Sequence, residues 1–333
     1  MHINYNLPKK ILAWYDNNRR TLPWRVGKNS TKKLYYRLLS EFMLQQTQVK
    51  TVIPYFKKFT KEFPTLNSLS KCSENRILKL WEGLGYYRRA RNLLSSVKIL
   101  VKENNSRLPK KLDEIKKLPG IGEYTGNALL GLVHDQPTIA VDGNVKRIFS
   151  RILNKNEKKI DYKELIEKNK ISLFNTKRNA DLVEAIMEFG ALICKPKNPD
   201  CSNCIIKKLC ISNQLKKKLN NKNKKKVIKK KINIFCYLNK KKQIALTKYN
   251  NLGFLNKFNL PHIEETSFKK IDKKWKLLHN YNNFISNKKL NISLYYKFSN
   301  KIPVNFSWYS LQSKNEFVPT FTKKIFKHIS ILY

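Results

Sequence analysis

The sequence predicts a mainly helical N-terminal half joined by a basic linker to a smaller α+β domain. Three observations predict this. Residues 1–214 repeat apolar clusters at helical spacing between turn signals such as Leu22-Pro23, Phe63-Pro64, Leu108-Pro109 and Leu118-Pro119. Residues 215–231 are dominated by Lys and Asn, too poor in apolar groups to bury and too rich in like charge to collapse, as expected of a linker. Residues 232–333 carry short β-branched or aromatic segments that read as strands.

The chain has 333 residues, beyond the ~250 at which a single core usually stops growing, so two domains are expected. Lys plus Arg number 69 against 23 Asp plus Glu, a formal charge of +46, while 41% of residues are hydrophobic and 11% aromatic. Such a chain can build cores, which excludes a disordered polyelectrolyte, and its charge seeks an anionic partner, nucleic acid first among them. Lys, Asn and Ile are abundant throughout, as in an AT-rich coding sequence, so roughly half of the excess is credited to a binding face. No apolar run approaches the ~18 residues of a spanning helix, and the opening stretch MHINYNLPKKILAWYDNNRR has no signal-peptide core. A cytoplasmic protein is expected.

Taken in order, TKKLYYRLLSEFMLQQTQVKTVIPYF is expected to be helical at least from Leu34 to Val49. At 100° per residue Glu41, Gln45 and Gln48 share a stripe with Leu34 and Leu38. A carboxylate extending an apolar stripe invites burial, and burial raises its pKa toward the range of a general acid. An ordinary half-exposed Glu is the plainer alternative.

Residues 113–133, DEIKKLPGIGEYTGNALLGLV, read as a short helix, a tight LPGIG turn and a second helix starting near Glu123. Gly120 and Gly122 are expected to adopt dihedrals closed to other residues. The N–H groups of the turn, with the following helix N-terminus, then suit a phosphate oxygen and a DNA backbone. An ordinary helical hairpin turn also accounts for the glycines.

Asp142, in IAVDGNVKRIFSRIL, follows an apolar stretch and precedes a helical pattern, the position of an N-cap. The N–H groups it caps are expected to depress its pKa and keep it ionised beside a developing cation.

Cys194, Cys201, Cys204 and Cys210 form a C-x6-C-x2-C-x5-C cluster, whereas Cys72 and Cys236 stand alone and read as buried small hydrophobes. In a long cytosolic chain a metal is favoured over disulfides, and the spacing leaves zinc and an iron–sulfur cluster equally open. Lys195, Lys197, Lys207 and Lys208 would surround the ligands with positive charge. Beyond the linker, INIFCYLN, QIALTKY, NISLYYKF and VNFSWYS are expected strands, with a helix near Lys269 to Asn280.

Together EFMLQQTQV, WEGLGYYRRARNL, LPGIGEYTGNAL, VDGNVKR and the four-cysteine spacing resemble the MutY family of adenine DNA glycosylases, within the helix-hairpin-helix glycosylase superfamily. The likeness runs from about Leu22 through Cys210. It implies a catalytic domain over 1–214, made of a six-helix module at about 30–138 and a module of 1–29 with 139–214. One 4Fe–4S cluster would be held by Cys194, Cys201, Cys204 and Cys210, which favours iron over zinc. It further implies a monomer that excises adenine opposite 8-oxoguanine or guanine in double-stranded DNA. Glu41 would protonate the leaving base, Asp142 would stabilise the sugar cation as in a glycosidase, and Asn144 would support Asp142. Gln46 and Tyr86 correspond to wedge residues beside the oxidised guanine, and Thr47 to a contact near it. Tyr124 stands where the related endonuclease III type has a Lys that attacks the sugar, so excision without efficient lyase activity is implied.

Residues 232–333 resemble a Nudix-related lesion-recognition domain. NLGFLNKFNLP departs from the pattern with Asn256-Lys257 in place of a Gly pair, and Phe326-Lys327-His328 resembles a Phe-Ser-His loop whose His328 would read the lesion. The alternatives are an endonuclease III-like pyrimidine-lesion glycosylase/lyase and a degenerate, non-catalytic DNA-binding protein.

Overall fold

The computed structural model describes residues 2–333 apart from 28–29, 216–226, 250–254, 256–257, 266–270, 286 and 313–316. The chain divides into two units, Met1–Lys222 and Asn223–Tyr333.

The first unit is helical. In order it runs α1 (Leu7–Asn18), α2 (Lys33–Leu44), α3 (Val49–Glu62), α4 (Leu66–Ser70), α5 (Glu74–Leu80), α6 (Arg88–Glu103) and α7 (Leu112–Lys116). It continues with α8 (Glu123–His134), α9 (Gly143–Ile152), α10 (Tyr162–Lys168), α11 (Lys170–Leu173), α12 (Asn179–Leu192) and α13 (Ile211–Gln214). The longer helices bury apolar residues at helical spacing, the 3.6-residue periodicity of the sequence expressed as packing. Leu7, Ile11 and Tyr15 of α1 meet Val145, Ile148 and Phe149 of α9 and Leu182, Ile186 and Phe189 of α12 in one cluster. Trp14 and Phe189 pack edge to face with ring centroids 5.0 Å apart. On α2, Leu38, Leu39, Phe42 and Met43 are buried, as are Val52, Phe56 and Phe59 on the adjoining α3.

The hairpin appears where the sequence placed it, with α7 and α8 flanking Lys117–Gly122. Pro8 lies in the first turn of α1, where its missing N–H costs nothing. Thr65 and Ser68 form a reciprocal capping box at the start of α4.

The second unit is a mixed sheet with one packed helix among its described residues. Its strands are β1 (Ile228–Asn239), β2 (Gln243–Leu246), β3 (His262–Glu265), β4 (Lys276–Ile285), β5 (Lys288–Phe298) and β6 (Ser307–Ser310), followed by α14 (Thr320–Ile329). The order is β4-β5-β1-β2-β6, with β3 also on β1; β1 and β5 are parallel, in register from Ile228↔Lys288 to Leu238↔Phe298. Ile232, Ile234, Leu238, Leu290, Ile292 and Leu294 face Phe321, Ile325 and Ile329 of α14 in one core.

Two expectations change here, and a third falls largely outside the described residues. The linker reading of 215–231 falls mostly outside the described residues, but β1 already begins at Ile228, because the Lys-rich 228–231 pairs with β5. The helix expected near Lys269 to Asn280 is instead strand from Lys276, where β4 pairs with β5; residues 269–270 lie outside the described residues. NLGFLNKFNLP is largely outside them too, including Asn256-Lys257.

Candidate active site

Glu41 lies in the last turn of α2 and is only 6% exposed. The hydroxyl of Tyr124, from the first turn of α8, hydrogen-bonds its carboxyl group. Burial raises the Glu41 pKa to about 7, helped by the charges of Glu184 and Asp142 and opposed by Arg37 and the Tyr124 bond. This is the partial burial anticipated from the stripe, carried further. Tyr124 is itself pushed well above its ordinary value by burial and by the charges of Glu41 and Asp142, and its hydroxyl also lies 3.6 Å from Met187 Sδ. Glu41, Tyr124 and Asp142 thus lie within mutual electrostatic reach, although 101 residues of sequence separate the first from the last.

The helix does not run to Val49 as expected. It stops at Leu44, with Gln45 at its C-cap and Gln48 at the N-cap of α3, so neither continues the Glu41 stripe. The cause is a distant side chain. Buried Arg89 of α6 donates from Nη1 to the carbonyl oxygens of Phe42 at 3.2 Å and Met43 at 2.7 Å, and to that of Gln45. Its Nη2 reaches the carbonyls of Leu84 and Gly85, both at 3.2 Å. One guanidinium therefore satisfies the orphan carbonyls at the end of α2 and ties them to the turn before α6. Both joined turns carry a non-glycine residue in the left-handed region, Gln46 at φ 59° and Tyr86 at φ 48°. Gln46 is exposed and Tyr86 is 44% exposed, with the Arg89 guanidinium 5.5 Å from the Tyr86 ring centroid. Thr47 is half-buried beside them, its N–H on the Leu44 carbonyl at 3.1 Å. Gln45 Nε2 approaches the hairpin, 3.4 Å from Thr125 Oγ1 and 3.5 Å from the Gly120 carbonyl.

Asp142 is the N-cap of α9, as anticipated. Its Oδ1 accepts from the Val145 N–H at 2.8 Å and its Oδ2 from Asn144 Nδ2 at 2.7 Å. The expectation of a depressed pKa is corrected: burial outweighs the Val145 and Asn144 bonds and moves the group upward overall. Asn144 is held in turn by Arg147, whose Nη2 donates to Asn144 Oδ1 and to the Gly190 carbonyl, both at 2.7 Å. A Cβ on Gly190 would stand 2.6 Å from Asn144 Cβ, so only glycine lets α12 approach this closely.

In the hairpin turn the two glycines separate. Gly120 has φ 80°, and a Cβ there would meet the Asn92 side chain at 2.6–2.7 Å. Gly122 does not need special dihedrals, contrary to expectation: it caps α8 in extended backbone at φ −95°, and a Cβ there meets nothing within 4 Å. Its openness leaves the N-terminus of α8 accessible rather than relieving strain.

Cys194, Cys201, Cys204 and Cys210 line one cavity between α9, α12 and the loop that follows, bounded also by Ile148, Ile152, Phe189 and Ile206. Burial pushes the thiols of Cys201, Cys204 and Cys210 up, that of Cys204 to about 11, and the charges of the neighbouring cysteines push the same way. A cationic centre would offset both effects. Arg151 Nη1 lies 3.2 Å from Cys194 Sγ and 2.8 Å from the Lys195 carbonyl, and Arg147 Nε bonds the Cys194 carbonyl at 2.7 Å. Among the described residues no three His, Cys, Asp or Glu side chains converge as ligands of a single metal ion. The donor set is four soft thiols around a shared apolar space, which suits an iron–sulfur cluster as it would zinc. Cys72 and Cys236 are buried, as expected of packing residues.

Sequence reasoning missed the charged groups beneath the site. Glu184 of α12 accepts from Tyr15 and Arg37 and is ion-paired with Arg25, and Glu188 binds Arg20 and Arg25. Charged residues at buried helical positions were the available signal: Arg37 lies four residues before Glu41, and Arg147 falls within the apolar face of α9.

His328, in the second unit, is not on a loop. It sits in the last turn of α14, because the apolar stripe Phe321, Ile325 and Ile329 carries the helix through Phe326-Lys327-His328. Its ring packs on Tyr281 at 4.5 Å and His279 at 5.1 Å. Burial, His279 and Lys327 all lower its pKa.

Comparison with known proteins follows the same residues. The HhH-GPD superfamily of base excision DNA repair proteins matches residues 39–172. An adenine DNA glycosylase of Buchnera aphidicola subsp. Baizongia pistaciae is 42% identical over 253 residues, covering 74% of this chain and 70% of that protein. One from Buchnera aphidicola subsp. Schizaphis graminum is 38% identical over 324 residues, covering 89% and 84%. Among solved structures, a thermostable thymine-DNA glycosylase superposes with a TM-score of 0.55 at 27% identity, over 63% of this chain and 95% of that one.

Proposed function

The chain belongs to the adenine DNA glycosylases of the HhH-GPD superfamily, which act in base excision repair, and on that premise we propose that it hydrolyses adenine from A·8-oxoguanine and A·G mispairs with Glu41 and Asp142 as its two working carboxylates. The observation that carries this reading is the pairing of a buried Glu41 whose pKa reaches about 7 with an Asp142 held at both oxygens. At neutral pH the first retains a proton to give and the second is aimed at a fixed point.

The mispaired adenine leaves the stack at a cost of a few kcal/mol, reduced by the mismatch. Glu41 donates its proton to the base as the bond from base nitrogen to sugar carbon breaks, so adenine departs neutral. The positive charge left on the sugar faces Asp142, whose ionised form the cation favours. Water then adds to that carbon and its released proton restores Glu41. Asn144 holds the Asp142 carboxylate in register. Tyr124 bonds the Glu41 carboxyl group and fixes its position, and as a phenol it cannot form a Schiff base with the sugar, so excision without strand cleavage is expected.

Gln46 and Tyr86, paired through Arg89, enter the duplex as a two-pronged wedge, with Thr47 beside them. The Gly120 to Gly122 turn and the start of α8 take a phosphate. Cys194, Cys201, Cys204 and Cys210 would hold one 4Fe–4S cluster, which would close the loop, while Lys195, Lys197, Lys207 and Lys208 give that loop its positive charge. The second unit is a Nudix-like module that senses 8-oxoguanine; its mixed sheet with α14 supports this, and His328 would reach the lesion only from the end of that helix. The protein acts as a cytoplasmic monomer; among the described residues no helix is long and apolar enough to cross a membrane.

Purified protein mixed with duplexes carrying A·8-oxoguanine, A·G or A·T should release adenine from the first two, with strand breaks only after alkali. Nicking without alkali would favour a lyase. Binding without any adenine release would favour a non-catalytic DNA-binding protein.

A further inference from the structure

Arg37 is an unusual residue to find in the core. It lies on α2 exactly four positions before Glu41, is 7% exposed, and shares the helix stripe with the acid. Its Nη1 binds Glu184 Oε1, and Glu184, also 7% exposed, accepts further from the Tyr15 hydroxyl and is ion-paired with Arg25, whose Nε lies 3.2 Å away. A buried ion pair contributes little net stability compared with well-packed apolar side chains in the same space. Its cost is explained if the field it makes is what the site uses.

The surroundings of Glu41 narrow the source of that field. The buried residues of α3, which packs on α2, are Val52, Phe56 and Phe59, all apolar. From α6, Arg89 is engaged by the carbonyls of Phe42 and Met43 at the end of the helix. From α8 comes neutral Tyr124, from the cap of α9 Asp142, and from α12 Glu184. Arg37 is thus the positive charge that acts on Glu41, and Glu184 is the group that answers it.

We propose that Arg37 and Glu184 are a positioning pair for the proton on Glu41: Arg37 fixes a positive charge one turn before the acid, and Glu184, bonded to Arg37, sets how much of that charge the acid feels. The inference rests on Glu41 being the acid. Neither residue need touch the adenine for this role. Removing the positive charge lets Glu41 keep its proton to higher pH, and removing the negative charge strips the proton at lower pH. The two substitutions therefore move one limb of the same curve in opposite directions, which a loss of packing cannot do.

The experiment is the pH dependence of single-turnover adenine release from an A·G duplex, on the full chain, for wild type, Arg37→Met, Arg37→Lys and Glu184→Gln. The alkaline limb should rise by about one pH unit in Arg37→Met and fall by about one unit in Glu184→Gln, the size expected of one neighbouring charge. Arg37→Lys, which keeps the charge, should restore the wild-type limb. Melting curves identify any variant that does not fold; should Arg37→Met fail, the shape-preserving Glu184→Gln carries the test alone. Limbs that stay in place, or move together, overturn the proposal. An inactive wild type would instead remove the assignment of Glu41 on which it stands.

Discussion

Arg147 joins the cysteine loop to Asn144: its Nε binds the Cys194 carbonyl and its Nη2 binds Asn144 Oδ1, each at 2.7 Å. Since Asn144 donates to Asp142 Oδ2 at 2.7 Å, the order of the loop and the aim of the carboxylate share one guanidinium. Arg147→Met should therefore slow adenine release about 10–100-fold, the usual scale for losing the support of a working group. Binding to duplex DNA should change little, and iron content, measured alongside, should fall. A variant with full iron and an unchanged rate would show that Asp142 is held well enough by Val145 alone.

Glu41 keeps its pKa at about 7 at the expense of stability. Its folded value lies above its ordinary 4.5, so the fold is penalised as pH rises from about 4.5 to 7 and carries the whole penalty above that. Glu41→Gln should raise stability at pH 8 by up to about 3 kcal/mol, do little at pH 4, and abolish turnover with binding retained. Denaturant titrations at both pH values check the sign; a variant less stable at pH 8 would contradict it.

Glu188 behaves in the opposite sense. Burial alone would raise it, but bonds from Arg20 and Arg25 prevail and hold it at about 2. That stability is present above about 4.5 and is lost as pH falls toward 2. Glu188→Gln should cost about 2–3 kcal/mol at pH 7, where Arg20 and Arg25 each lose a charged partner, and progressively less below pH 4 as the wild-type carboxylate is itself protonated. An equal cost at pH 7 and pH 3 would mean that packing rather than charge is at stake.

The hairpin glycines offer a paired test. Gly120→Ala must fit a Cβ at φ 80° against Asn92 and should lower stability by about 1–3 kcal/mol. Gly122→Ala adds a methyl group in open space on extended backbone and should fold normally, yet bind duplex DNA more weakly where that methyl group meets a phosphate. Thermal melts and salt-dependent binding separate the two effects.

The sequence made some of these residues readable because their causes are local. Asp142 before a helical pattern, the LPGIG turn and four closely spaced thiols each carry their signal within about twenty residues. The break at Gln45–Gln48 carries none, because it is imposed by Arg89 from a helix further along the chain. Arg37 and Glu184 are ordinary charges until α2 and α12 come together. The misread Lys276–Asn280 belongs to β4, an edge strand that among the described residues pairs only with β5 and is largely exposed, so it lacks the apolar alternation that marks a strand. His328 was misjudged for the converse reason: the stripe of α14 was present in the sequence and outweighs the likeness to a loop.

The packing of α1 on α12 also has a consequence for how the chain is made. Tyr15 meets Glu184 across 169 residues of sequence. At the ~5–20 residues per second of ribosomal synthesis, roughly ten to thirty seconds pass before the partner exists. Through that interval the stripe of Leu7, Ile11 and Trp14 has no α12 to cover it, so the newborn chain presents a sticky amphipathic helix to whatever holdase waits at the exit tunnel.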